Sequence, residues 1–423
     1  MNNYRNYSRK KSFDLLSGEG IQRLCIIYIV IWAIFPPFYV GSIFRLAALG
    51  CMGLWLIFTF QKIKLSMVNI LSFIYLGIVV SSTVLLSGTS AIIKQIAVIL
   101  LVLLLLVHNY YNGKWQDFGK VILVFLALFI FSNIMTTREL VIDPHIARAM
   151  VRDDASLYRL YRRGVGGYSL IYGQVCISPV VVQWTLKNRK RNPVKFGFGV
   201  AWILSFVMLI FNAGYSIAIF GTVVSTFMMF FYRRKNSTMA VVLAITILFL
   251  AMYAIVKYEW LQEFLLKTFD GTVVTKKVND LVESARNGEA EGSIAVRLEC
   301  YLASINTFFN YPFTGGWLWD AGGGGHSAVM DSLANYGILG GGIFTYMLVY
   351  AQFAKYKYTK DKTLRRTVNA AITAIMTVAV LDTIPYEIVT CIMMIIPLLL
   401  SDIGEKKENI LNEGTLDSKF NTL

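Results

Sequence analysis

Charge is what this chain has least of. Only 15% of its 423 residues are Asp, Glu, Lys or Arg, where a soluble domain carries about 25%. Cysteine is scarce too, and five residues are too few for a disulfide-stapled scaffold. Cys25, Cys51, Cys176 and Cys391 fall inside apolar runs and leave Cys300 alone outside, so neither an internal disulfide nor a Cys-rich metal site is expected. What fills the chain instead is hydrocarbon. Hydrophobic residues make up 56% of it, mean hydropathy is +0.58, and 28 Phe, 23 Tyr and 8 Trp are far too many for a disordered chain. A soluble enzyme is excluded, and an all-α polytopic membrane bundle is expected.

A membrane crossing takes about 20 apolar residues. Runs near that length occur at Leu24 to Val40, Phe44 to Phe60, Met67 to Leu86, Ala91 to Val107, Val121 to Met135 and Tyr168 to Leu186. Six more follow at Phe196 to Asn212, Tyr215 to Tyr232, Met239 to Val256, Tyr336 to Phe353, Thr367 to Leu381 and Ile388 to Leu400. Twelve spans in a single integral membrane domain covering 1–423 are therefore expected. If the N-terminus is cytoplasmic, 26 of the 40 Lys and Arg lie on the inner side, including the clusters Lys187 to Lys195, Arg233 to Lys235 and Lys355 to Arg366. That asymmetry places both termini, and a tail at 403–423, in the cytoplasm. It also explains the net charge of +15 as a topology signal beside anionic lipid, with no call for nucleic acid. The first span is followed by others and lacks a small-residue cleavage site, so no cleavable signal peptide is expected.

Two outer connections are long, 136–167 and 257–335, and long loops in compact proteins are commonly functional. Trp260, Phe264, Leu265, Val274, Val278, Leu281 and Val282 recur in the second at helical spacing, so it is expected to be folded. Every cation in the first is Arg: Arg138, Arg148, Arg152, Arg159, Arg162 and Arg163. Arg presents a planar fork that grips phosphate or carboxylate at two points. Arg162 and Arg163 precede Gly164, Gly166 and Gly167, where backbone can approach a ligand. A clamp for a lipid-linked phosphate is one reading; pairing with the loop acids or with headgroups is the other.

The second loop ends in the densest constellation. A helix is expected to carry Arg297, Tyr301, Ser304 and Phe308 on one face and to stop before Pro312. Gly315, Gly316, Gly322 to Gly325, His326, Ser327, Asp331, Tyr336 and Gly337 follow. His326 falls where a helix enters the membrane. It reads either as a general base for a hydroxyl or as a helix-end histidine. Ser327 reads as a helix cap, because no G-x-S-x-G elbow surrounds it. Asp331, five residues on, does not stack with His326 on one helix face.

From Arg297 to Phe344 the chain reads RLECYLASINTFFNYPFTGGWLWDAGGGGHSAVMDSLANYGILGGGIF. This resembles the signature region of the O-antigen and capsular polysaccharide polymerases (Wzy-type), which are related to the O-antigen ligases. The Arg-containing helix, the P-x-x-G turn, the HS-x-x-x-D segment and the YGIxG start of a span come in that family's order. About 50 residues match, and the spans with two long outer loops extend the likeness over most of the chain. Arg162 and Gly173 also fit the Arg-x10-Gly pattern of the family's first loop. Arg297 lies 18 residues before Gly315 and misses the second pattern, and Tyr215-Ser216-Ile217 stands where many relatives carry Ser-Arg.

The resemblance implies a glycosyltransferase of the membrane-embedded C type (GT-C-like) in the bacterial plasma membrane. It would join undecaprenyl-diphosphate-linked oligosaccharides, as donor and acceptor, at the outer face, with no metal and no cofactor. His326 would act on the acceptor hydroxyl, and Asp331 would orient it or serve as the second candidate base. Arg162, Arg163, Arg297 and Arg159 would neutralise diphosphate, and Tyr301 and Tyr336 would contact glycan. Membrane lipid is a further partner, and the family leaves room for a protein that controls chain length. An O-antigen ligase shares this architecture. A twelve-span transporter or flippase is the rival from another class, but no internal repeat is visible and only Lys94 lies clearly inside a span.

Overall fold

The computed structural model describes residues 18–63, 66–88, 95–111, 115–119, 121–143, 154–231, 253–268, 292–319, 321–351 and 361–404, with scattered single positions between them. All regular secondary structure among these residues is helical. In chain order the helices are α1 (Gly18–Ile34), α2 (Ser42–Lys62), α3 (Met67–Ser87), α4 (Ile96–Tyr110), α5 (Val121–Ile142), α6 (Asp154–Arg162) and α7 (Tyr168–Asn188). Then come α8 (Pro193–Ala213), α9 (Ser216–Phe231), α10 (Glu259–Thr268), α11 (Gly292–Asn310), α12 (Ala328–Val349), α13 (Lys362–Leu381) and α14 (Tyr386–Gly404).

Eight of these, α2, α3, α5, α7, α8, α12, α13 and α14, are long and apolar enough to cross a membrane. The protein is an all-α, multi-pass membrane protein. The remaining expected spans come out differently. The run at Leu24 to Val40 is divided, because Pro36 ends α1 and opens a separate turn, Pro36–Tyr39. Helices α4 and α9 are apolar but shorter than a full crossing. Most of Met239 to Val256 lies outside the described residues, as do Lys94, Arg148, Arg152 and the tail beyond 404.

Both loop boundaries also move. Helix α5 runs on to Ile142, so the first residues of 136–167 continue a span. Helix α12 begins at Ala328, eight residues before the expected start at Tyr336, because Ser327 caps it: its Oγ accepts from the Met330 amide at 3.1 Å. The cap agrees with the reading of Ser327, and the apolar run marked from Tyr336 is the inner part of a helix that is broken inside. Gly337 sits at φ +64°, and a Cβ there would strike the Phe313 carbonyl. The amides freed by the break donate instead to the Pro312 and Phe313 carbonyls, from Ile338 at 2.8 Å and Leu339 at 3.4 Å.

Burial sorts the spans into layers. In α7 and α14, 83% of the apolar window is buried and in α13 72%, against 22% in α2 and 28% in α3. Helix α7 packs against α8, α9, α13 and α14 and forms the centre. Ile43, Ile57, Met67, Leu85 and Met208 stand exposed on the outer helices, as expected of surfaces solvated by lipid. Inside, Asn133 and Gln174 exchange two amide hydrogen bonds at 2.7 and 2.9 Å, and Asn133 donates a third to Ser205 at 3.1 Å. These tie α5, α7 and α8 together without charge.

Candidate functional site

The start of α7, the end of α13 and the start of α14 lie at one end of the bundle, and the glycine-rich segment is folded onto it. Helix α11 presents Arg297, Tyr301 and Ser304 on one face, as their spacing predicts. Arg297 Nη1 donates to the Leu381 carbonyl at 2.6 Å and Nη2 to Asp382 Oδ2 at 3.1 Å, and the Tyr301 hydroxyl donates to the same Leu381 carbonyl at 2.8 Å. The Arg297 side chain remains 32% exposed. Burial alone would lower its affinity for the proton, but the carboxylate of Asp382 and the phenol of Tyr301 outweigh this and hold the guanidinium above its ordinary value. Burial pushes the Tyr301 phenol up.

The histidine loop is pinned from both sides. Asp331 Oδ1 accepts from the Ser304 hydroxyl at 2.6 Å, and Oδ2 accepts from the Ser327 amide at 2.9 Å. Ser304 Oγ in turn accepts from the Gly324 amide at 2.8 Å. Gly324 lies so close to α11 that a Cβ would collide with the Cys300 backbone, so the glycine run is a packing requirement at that point. The Ala328 amide donates to the Asp382 carbonyl at 3.0 Å, which fixes the turn against the end of α13. Both oxygens of Asp331 therefore take part in shaping the loop. His326 is half-exposed and makes no hydrogen bond among the described residues.

Two acids outside the sequence-predicted set complete this end. Asp382 stands between Arg297 and the phenol of Tyr172. Glu387, only 3% exposed, has the hydroxyls of Ser169 and Tyr386 beside it, while its Oε2 has no hydrogen-bond partner among the described residues. Tyr39, Tyr161 and Tyr386 surround it; the Tyr39 ring meets those of Tyr161 and Tyr386 edge-on at 4.8 and 5.8 Å. Burial raises the Tyr161 phenol, with the Glu387 charge adding to the effect. The sequence signal for both acids was present: two carboxylates beside Pro385 in a short break between apolar runs.

The first-loop arginines are placed apart from Arg297. Arg159 and Arg162 lie in the last turn of α6, and Arg163 follows it; all three are exposed. Arg162 stacks over Tyr158 at 4.7 Å, and Arg163 is 4.0 Å from Glu139. No contact among the described residues joins them to Arg297, but Tyr161 of the same helix reaches into the Glu387 pocket.

On the other flank of the glycine loop lies a cleft of about 240 Å³ between the end of α3 and the first half of α12. Tyr336 lines it, with Ser82, Thr83, Gln95, Trp317 and Asn335. Asn335 Oδ1 accepts from the Gly323 amide at 2.8 Å, so this wall and the histidine loop are one hydrogen-bonded unit. Tyr336 meets Tyr75 edge-on at 6.1 Å. No group of three His, Cys, Asp or Glu suited to a metal ion occurs among the described residues. Compared with known proteins, the chain matches no family model and no curated protein.

Proposed function

We propose that this protein is a polysaccharide polymerase of the bacterial plasma membrane, joining undecaprenyl-diphosphate-linked repeat units at its outer face. In this reading the chain has twelve spans, a GT-C-like architecture and both termini in the cytoplasm, which puts the Arg297 and His326 end outside. The observation that carries it is His326: a half-exposed imidazole without a described hydrogen-bond partner, on a loop held rigidly by Asp331 and Ser304 and facing the same bundle end as Arg297. A hydroxyl of the acceptor glycan attacks C1 of the donor chain and the bond from C1 to the diphosphate oxygen breaks. The hydroxyl proton passes to His326. Arg297 keeps guanidinium donors beyond the two that bind Leu381 and Asp382, and these neutralise the leaving diphosphate. Exposed Arg159, Arg162 and Arg163 gather the anionic carrier from the membrane surface. Tyr301 and Tyr336 contact glycan.

Replacing His326 by Ala in purified, nanodisc-embedded protein is expected to slow polymer formation by about 10²–10⁴-fold, with the thermal transition unchanged and single lipid-linked units accumulating. Long polymer at near wild-type rate would remove His326 from the chemistry. Transfer to a lipid A core in preference to a second repeat unit would make the protein a ligase.

A further inference from the structure

The cleft beside the histidine loop has a lining chemistry that differs from the rest of this bundle end. Across the loop stand Arg297, Asp382 and Glu387. In the cleft the described side chains include three hydroxyls (Ser82, Thr83 and Ser87, the first two donating to the Val79 carbonyl and so offering a ligand acceptors), two amides (Gln95 and Asn335), two aromatic rings (Trp317 and Tyr336) and Leu86, and no charged group. Hydroxyls and amides pair with ligand groups that both donate and accept, and an aromatic face covers a patch of C–H. A sugar ring presents both, whereas a diphosphate asks for cations and a lipid chain for an unbroken apolar wall.

We infer that this cleft is a saccharide subsite that takes an uncharged sugar of the acceptor glycan, the one whose hydroxyl is delivered to His326. The inference rests on the polymerase reading for the word acceptor, but the binding itself does not. Two features place the sugar rather than the carrier here. The wall of the cleft includes Gly322, four residues from His326 in one clamped loop. The Asn335 amide that lines the cleft also holds Gly323, so an occupant is registered against the same backbone that positions the imidazole. The charged flank is left for diphosphate.

The test uses saturation-transfer difference NMR on the full chain in nanodiscs, with methyl glucoside, methyl galactoside, methyl rhamnoside and methyl N-acetylglucosaminide as probes. At least one is expected to show transfer to its ring protons, with binding weakened about tenfold, or 1.4 kcal/mol, in Trp317→Ala and in the gentler Gln95→Ala. Thermal melting of each variant separates lost binding from lost fold, and if Trp317→Ala does not fold, Gln95→Ala carries the comparison. Sugar binding that ignores both substitutions would overturn the subsite while leaving the polymerase reading intact. Absence of sugar binding in a wild-type protein that makes polymer would also overturn the subsite alone. Absence of both binding and polymer would sink the two readings together. Displacement of the bound probe by short-chain phosphatidylglycerol, with no polymer made, would assign the cleft to lipid.

Discussion

Two partly buried ion pairs at opposite ends of the bundle have similar lengths and different fates. At the end where α7 meets α8, Lys195 Nζ donates to both oxygens of Asp402 at 2.7 and 2.9 Å, and Trp184 Nε1 donates to Oδ2 at 2.6 Å. That carboxylate is fully used by its neighbours. At the other end Arg297 reaches Asp382 at 3.1 Å through one nitrogen, gives another to a carbonyl, and keeps a third of its side-chain surface open. The first pair staples α7, α8 and α14. The second leaves donors for something else, so the presence of an ion pair says less than the number of its hydrogen bonds still unclaimed.

Removing one member from each pair should separate them most clearly. Arg297→Ala is expected to cut polymer formation by about 10²–10³-fold through lost charge stabilisation, as read in a single-turnover assay, with a modest change in melting. Asp402→Ala should do the reverse, costing about 3 kcal/mol of stability by stranding Lys195 and Trp184, while protein that remains folded keeps its turnover. Equal losses of activity at matched folded fraction would erase the distinction. A smaller effect is expected from Asp331→Asn, which retains an acceptor for the Ser327 amide or Ser304 hydroxyl but not both with the same geometry. A loss of about 1–3 kcal/mol of stability with turnover reduced far less than in His326→Ala would mark Asp331 as a positioning residue. If the two variants are equally slow, Asp331 is the base. The smallest shift belongs to Glu387→Gln. Its unpartnered oxygen costs the fold more as a carboxylate than as an amide, so the melting temperature should rise slightly, by the equivalent of about 1 kcal/mol. A rise accompanied by lost polymer would show that the acid is retained for activity.

What could be read beforehand was what is local. The apolar runs located most of the spans, and the step of three and four from Arg297 to Ser304 put those residues on one face because a helix fixes that relation by itself. The Ser327 cap was legible for the same reason. The partners were not. Arg297 meets Asp382 and Ser304 meets Asp331 across 85 and 27 positions of chain, and no periodicity encodes such a pairing. Glu387 escaped because a buried acid and an exposed one at a span end have the same sequence surroundings. The apolar run was marked only from Tyr336 because hydropathy follows side chains, whereas the helix itself starts at the Ser327 cap and is broken at Gly337.

The break at Gly337 also bears on how the protein enters its membrane. Backbone amides that lack a partner cannot rest in hydrocarbon, and those of Ile338 and Leu339 find theirs on Pro312 and Phe313, a turn that leaves the ribosome first. The acceptors are therefore made before the donors that need them. The second half of α12 thus has its freed amides satisfied only by the turn at Pro312 and Phe313, so the span and the segment that carries the histidine loop depend on each other for their backbone hydrogen bonds.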